Sequence, residues 1–274
     1  MNSKLNLQKK IVYTLLILGA IVMSLPFIWL ILSTFKTNKE IMGFPPTFIP
    51  NNWTIENYVD IMKNLKISRY FMNSLFLAGT KTIIGVYTSL LCGYVLAKFK
   101  FPGRDLIFQF IIFSMMVPYL IMVIPLYDMI NYFEWSDSYI AIILPVFLSS
   151  FGIFMMRQYL KGIPNSLIEA ARIDGAGEFM IFHKIVIPLS VNMISALSIF
   201  LFLWNWEDFL WPYLVLTTQD KYPLAVALNM FSGQNTTDYG GLFAATAITI
   251  VPILVVYLFA QKRFVEGISM SGIK

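Results

Sequence analysis

Long apolar runs separated by polar connections fill almost the whole chain, and six of them approach the length of a membrane crossing: Ile11 to Ser33, Tyr70 to Ala97, Leu106 to Met129, Tyr139 to Met156, Leu189 to Leu210 and Leu242 to Ala260. A helix needs roughly 20 apolar residues to cross about 30 Å of hydrocarbon. The runs are apolar on every face, whereas barrel strands would alternate in polarity over segments of about ten residues. The pattern therefore predicts an all-α integral membrane protein with six transmembrane helices. It divides the chain into a short N-terminus (1–10), a membrane domain (11–260) and a tail (261–274). Lys9 and Lys10 before the first run imitate a secretory signal, but the run is too long for a signal core and no Ala-x-Ala site follows, so the first helix is expected to stay.

The basic residues set the orientation. Lys4, Lys9 and Lys10, then Lys98, Lys100 and Arg104, then Arg157, Lys161, Arg172 and Lys184, and finally Lys262, Arg263 and Lys274 all fall on one side of a six-helix chain. The other side carries Glu134 and Asp137 in one loop, and Lys221 against Asp220 and Asp238 in another. By the positive-inside rule both termini are cytoplasmic. The connection from Phe35 to Arg69 dissents with five basic residues, but it is long, and long loops weigh less.

Composition places the whole chain in a bilayer: 58% hydrophobic residues, 13% charged residues and a mean hydropathy of +0.70 lie outside the range of soluble domains. Chemistry-bearing motifs are sparse. Cys92 sits alone inside the second run, and His183 has no partner at metal-ligand spacing. Gly79-Thr80-Lys81-Thr82 lacks the upstream glycine of a phosphate-binding loop and falls within a membrane span. No cofactor is expected on this chain, nor a nucleic-acid partner. A membrane enzyme would need a nucleophile with its base, or a histidine-rich metal cluster, and neither is present. A secondary transporter or channel of six helices is the alternative, but it calls for ion-coupling groups and often an inverted repeat, and no repeat is seen.

Between the fourth and fifth runs lies a polar segment, 157–188. Ser166 followed by Glu169 reads as a capping box that starts a short helix after Pro164. Ala170 and Ala171 would let another surface approach its backbone, and Gly175 and Gly177 would permit the positive φ of a reversal. A second helix, about Glu178 to Ile187, would present Phe179, Phe182, Ile185 and Val186 before Pro188 ends it. The expected result is a protruding helical hook.

Glu169-Ala170-Ala171, Gly175, Ile185 and Pro188 at this spacing resemble the EAA loop of membrane subunits of ABC importers, with Ile187 where leucine is usual. Asn57-Tyr58, Asn73-Ser74, Ile173-Asp174-Gly175-Ala176, Trp206 to Pro212 and the tail from Gln261 to Lys274 are similar to the carbohydrate branch, in particular the subunits like the second membrane protein of the maltose permease. The resemblance covers nearly the whole chain. It implies the type I importer fold and a bacterial cell membrane. It also implies a coupling role for Glu169, Ala170, Ala171, Asp174, Gly175, Ile185 and Pro188. The implied partners are a second homologous permease subunit, two cytoplasmic ATPase subunits carrying ATP and Mg, an extracytoplasmic sugar-binding protein and the bilayer.

Polar residues in membrane helices mark a candidate substrate path. The fifth run offers Trp204, Asn205, Trp206, Glu207 and Asp208, where carboxylates accept from sugar hydroxyls and indoles pack on pyranose faces. An aromatic belt with interfacial acids is the plainer reading. Lys81 shares a helical stripe with Ser74, Thr88 and Cys92, facing either the bundle interior or, by snorkelling, the outer interface. Met115, Met116, Tyr119 and Tyr127 read as packing as readily as pathway. The polar loop Thr217 to Gly241 is long enough to reach a substrate-binding protein.

Overall fold

The computed structural model describes residues 2–64, 66–231 and 238–271, with side chains over 9–63, 66–231 and 238–258. Among these residues every regular element is a helix. The chain forms two compact units, Met1–Ser68 with Leu228–Val251, and Arg69–Ala227 with Pro252–Lys274.

The first unit is built on the helix Asn2–Ser33, whose large apolar side chains from Ile11 to Ile31 stand exposed around its circumference. A helix apolar on all sides suits lipid or another membrane subunit rather than water. Its end is closed by polar residues. Asn57 Nδ2 donates to the carbonyls of Thr34 (2.7 Å) and Lys36 (2.8 Å), and the Tyr58 hydroxyl donates to Thr34 Oγ1 at 3.1 Å. Carbonyls at a helix C-terminus have no partner of their own, so the Asn57 amide supplies one. At Gly240 an added Cβ would collide with Asn57 Oδ1 and would displace that amide from the carbonyls it holds. Lys36, 1% exposed, donates to the Thr47 carbonyl at 2.5 Å.

In the second unit, the helix Ile67–Lys98 is the long central element, and it packs directly on Ser150–Lys161. The approach is close at Gly93, where a Cβ would stand 2.7 Å from Met156 Cβ and 2.9 Å from the Arg157 backbone nitrogen. Around that contact Leu90, Tyr94, Met156, Leu160, Ile168, Ile181, Phe182 and Val186 form one buried cluster, so the core of this unit joins the membrane helices to the polar segment.

Several crossings are broken. The stretch Leu106 to Met129, expected as one helix, is two, Arg104–Met116 and Tyr119–Tyr132, meeting at 103°. Pro118 has no N–H to continue the ladder and pushes Val117 to an extended conformation (φ −77°, ψ 120°), so the helix stops there. Tyr139–Ile143 and Ser150–Lys161 are separated at Pro145 by a 3-10 turn, where the Thr88 hydroxyl donates to the freed Phe147 carbonyl at 2.6 Å. Val191–Trp206 ends before a second short helix, Leu210–Val215. By length and apolar composition four spans suffice to cross a membrane, Lys9–Ser33, Ile67–Lys98, Tyr239–Leu258 and Tyr139–Lys161 with its 3-10 turn included, and six crossings result when each of two bent pairs counts as one. The last helix, Tyr239–Ser271, runs through position 261 without a break. The side chains of the tail, and the loop residues 232–237, lie outside the described residues.

Candidate functional site

The polar segment folds as a hook, with different end chemistry from that expected. Its first helix is Asn165–Ile173, its N-cap is Pro164, and no side chain caps it, so Ser166 and Glu169 make no capping box. Proline at the N-cap leaves no orphan N–H of its own, and Lys98 supplies the local polar closure from another helix, donating to the Ile163 carbonyl at 2.5 Å and Asn165 Oδ1 at 2.9 Å. The C-terminus is a Schellman turn: the Ala176 N–H reaches the Ala171 carbonyl (2.9 Å), and the Gly175 N–H reaches Arg172 (3.1 Å). Gly175 stands at φ +83°, as a glycine at this position should. Gly177, by contrast, has φ −71° and needs no left-handed freedom.

The second arm starts as Glu178–Ile181 and widens to a π-turn over Phe182–Val186, then continues as Ile187–Leu189. Pro188 therefore does not end it. The π-turn, in which the Ile187 N–H bonds the Phe182 carbonyl, skips the hydrogen bond that proline cannot make, and the break comes at Ser190 with a bend of 79°. The apolar residues of this arm divide. Phe182 and Val186 are 2% and 1% exposed in the chain's own core, and Ile185 is half-buried beside them. Phe179 is exposed, as is Ile173 on the first arm, and with Leu167 and Met180 they form the apolar surface the hook presents. Glu169, Ala170, Asp174, Gly175 and Pro188 are also exposed, and Ala171 is half-buried.

The two arms are tied by an ion pair that the sequence did not reveal. Arg172 Nε lies 2.6 Å from Glu178 Oε1, and the carboxylate raises the guanidinium further above its usual pKa. Glu178 Oε2 accepts from the Tyr94 hydroxyl at 2.9 Å. Tyr94 is far away in sequence, and a tyrosine near the end of an apolar helix carries no signal that would set it apart.

Farther along the same helix, Lys81 lies near the middle of its 32 residues with 3% exposure and pairs with Asp208 (Nζ to Oδ2, 2.6 Å). With Ser74 and Thr88 also buried, the polar stripe faces the interior of the chain. Asn205 Nδ2 donates to Thr82 Oγ1 at 3.4 Å. Thr82 in turn lines a cavity of about 530 Å³ together with Gly79, Ser195, Ser198 and Phe202. The remaining candidates on this stretch separate: Trp206 is buried edge-on to Phe71 (5.8 Å), while Trp204 and Glu207 are exposed. Met115, Met116, Tyr119 and Tyr127 are exposed rather than packed.

At the other end of Ile67–Lys98, away from the hook, the loop after Val215 is held by several bonds. Asn73 Nδ2 donates to the carbonyls of Asp220 (2.9 Å) and Tyr222 (3.0 Å), and Ser74 Oγ accepts from the Leu224 N–H (2.7 Å). Asp137 binds Lys221 Nζ at 2.7 Å, the Thr218 hydroxyl at 2.6 Å and the N–H groups of Thr217 and Thr218 at 3.0 Å. Burial alone would raise the Asp137 carboxyl, but the Lys221 ammonium and the Thr218 and Thr217 donors hold it well below the usual carboxylate range.

Comparison with known proteins follows this geometry. Residues 89–270 match the family described as binding-protein-dependent transport system inner membrane components. The chain is 33% identical to the diacetylchitobiose uptake system permease protein NgcG of Streptomyces coelicolor, over 94% of this chain and 87% of that one. It is 32% identical to the arabinooligosaccharides transport system permease protein AraQ of Bacillus subtilis, over 91% and 90%. It is 31% identical to the sn-glycerol-3-phosphate transport system permease protein UgpE of Escherichia coli, over 93% and 94%. A crystal structure of a bacterial ABC transporter involved in the import of alginate has the same fold, with a TM-score of 0.83 at 20% identity over 94% of this chain and 97% of that one.

Proposed function

The chain belongs to the family of inner-membrane components of binding-protein-dependent transport systems, and on that premise we propose that it is one membrane subunit of an ATP-driven importer of a sugar or oligosaccharide. The hook carries this reading. Two short helices joined by a Schellman turn and an ion pair make a stiff projection, and its exposed Ile173 and Phe179 offer the apolar contact a second protein needs. Glu169, Ala170, Ala171, Asp174 and Gly175 lie on or beside the first arm, with Ile185 and Pro188 on the second, where a cytoplasmic ATPase would grip it. ATP and Mg belong to that partner, and both termini then lie in the cytoplasm.

Displacement of the ATPase surface moves the hook as a rigid body and biases the membrane helices between two openings. The bias can be no larger than the difference in affinity of the ATPase for the two states. A saccharide follows from the names of the relatives, which include uptake systems for diacetylchitobiose and arabinooligosaccharides. Asn205, Trp204 and Glu207 are the side chains proposed to meet it, with Trp206, Lys81 and Asp208 holding their frame. A second permease subunit completes the pathway. A binding protein delivers the cargo, as in the alginate transporter crystallised with its oligosaccharide-bound periplasmic protein.

The test is reconstitution of the tagged chain with the subunits that co-purify. ATP hydrolysis is expected to rise when a binding protein loaded with saccharide is added, and hydrolysis that ignores the binding protein would reject the reading. Gly175→Asp forces a side chain into a φ of +83° and puts a charge on the hook. The variant is expected in the membrane but without its ATPase; normal uptake would show that the hook is not the docking element.

A further inference from the structure

The hook is fastened to a membrane helix that does not adjoin it in the chain. Arg172 on one arm and Glu178 on the other share an ion pair of 2.6 Å, and the second oxygen of that carboxylate takes the Tyr94 hydroxyl at 2.9 Å. Tyr94 is 2% exposed. It stands edge-on to Phe99 (5.4 Å) and 5.7 Å from Phe182 of the hook's second arm, and the Arg172 guanidinium lies 5.6 Å from the Phe99 ring. One turn on, Lys98 binds the entry to the hook at Ile163 and Asn165. Residues four apart share a helix face, so Tyr94 and Lys98 clamp the hook from one side of Ile67–Lys98.

That helix is unbroken from Ile67 to Lys98, and Lys81, its intramembrane charge, is bonded to Asp208 at the break after Trp206. Thirteen residues at 1.5 Å each separate Tyr94 from Lys81 by roughly 20 Å of rigid helix. Motion delivered at Tyr94 arrives at the Lys81–Asp208 pair with little loss. The route that leaves the hook toward Val191–Trp206 is bent by 79° at Ser190, and the span Tyr139–Lys161 on its other side carries a 3-10 turn over Leu144–Val146, so the unbroken Ile67–Lys98 is the more direct conductor.

We propose that Tyr94 is a positioning residue for energy coupling: its hydrogen bond to the Arg172–Glu178 pair makes Ile67–Lys98 follow the hook and carries the ATPase stroke to the middle of the membrane. The proposal rests on the importer reading and names the contact through which it works.

The experiment uses the whole importer, purified through a tag on this chain and placed in proteoliposomes with its binding protein. The readout is the number of cargo molecules imported per ATP hydrolysed. Tyr94→Phe removes one hydroxyl and keeps the ring, so the ATPase should still co-purify while import per ATP falls roughly fivefold, the scale of one lost hydrogen bond. Glu178→Ala should lower it as well, and the double variant should be no worse than Glu178→Ala, because both act through one bond. An unchanged ratio in Tyr94→Phe, even with a lowered melting temperature and whatever Glu178→Ala does, would overturn the proposal and reduce the contact to a stabilising one. Additive losses in the double variant would also overturn it. If the unmodified chain brings down no ATPase, the importer reading fails and this inference with it; a wild-type complex that couples normally, beside a Tyr94→Phe complex that couples equally well, would reject the inference alone.

Discussion

Lys81 is a buried charge near the middle of a long apolar helix, and it is paired with Asp208, 2.6 Å away. Removing one member of a buried pair strands the other, at a cost on the order of 3 kcal/mol. Lys81→Met is therefore expected to lower the thermal midpoint of the solubilised protein, and Lys81→Met with Asp208→Leu to restore most of it; equal midpoints for wild type and Lys81→Met would show that the pair bears no stability. Asp137 makes the opposite kind of pair, close to water, and its test is pH. Its carboxyl is held below the usual range in the folded protein, so the stabilisation it gives is complete above the unfolded value of about 3.9 and fades as the pH falls through the lower folded value. A thermal profile across that acid range should slope more for the wild type than for Asp137→Asn. Parallel profiles would mean that the Lys221 and Thr218 contacts do not discriminate the charged form. Neither pairing was legible beforehand. Lys81 and Asp208 are 127 residues apart, and nothing in either neighbourhood names the other.

Among the helices, the close approach of Ile67–Lys98 to Ser150–Lys161 depends on Gly93. Gly93→Val places atoms where Met156 Cβ and the Arg157 backbone now stand, and backbone cannot yield as a flexible side chain does. Overpacking of this kind costs about 1–3 kcal/mol, visible as a lower midpoint and a weaker yield from the membrane. Gly79→Ala on the same helix, where an added Cβ meets nothing within 4 Å, should hold or raise the midpoint, because alanine favours a helix interior over glycine by about 1 kcal/mol; a loss of midpoint in both variants would mean that helix flexibility, not contact, decides. The long apolar runs announced these helices because a bilayer tolerates little else. The breaks were less visible. Pro118 was there to be read as a stop, yet the apolar run continues across it and masks the 103° bend. Pro188 was read as a stop and proved to be spanned, because the π-turn before it absorbs the missing bond. The Schellman turn at Gly175 was legible from its glycine, whereas the first arm's supposed cap was not, since a serine and a glutamate three apart carry the right chemistry without the geometry.

As a whole the molecule was readable as an importer subunit because its informative residues gather in one short segment, and the path for cargo was not, because polar residues on one helix find their meaning only in partners from others. The Lys81–Asp208 pair also has a history in the life of each chain. A ribosome adds about 5–20 residues per second, so roughly 6–25 seconds separate the synthesis of Lys81 from that of Asp208. Throughout that interval the Lys81 ammonium is without the carboxylate it pairs with in the folded chain, so insertion of the helix Ile67–Lys98 must be secured by its other residues. Translation stalled before position 208 should leave this segment slipping in and out of the translocon, and release of the stall should lock it in place.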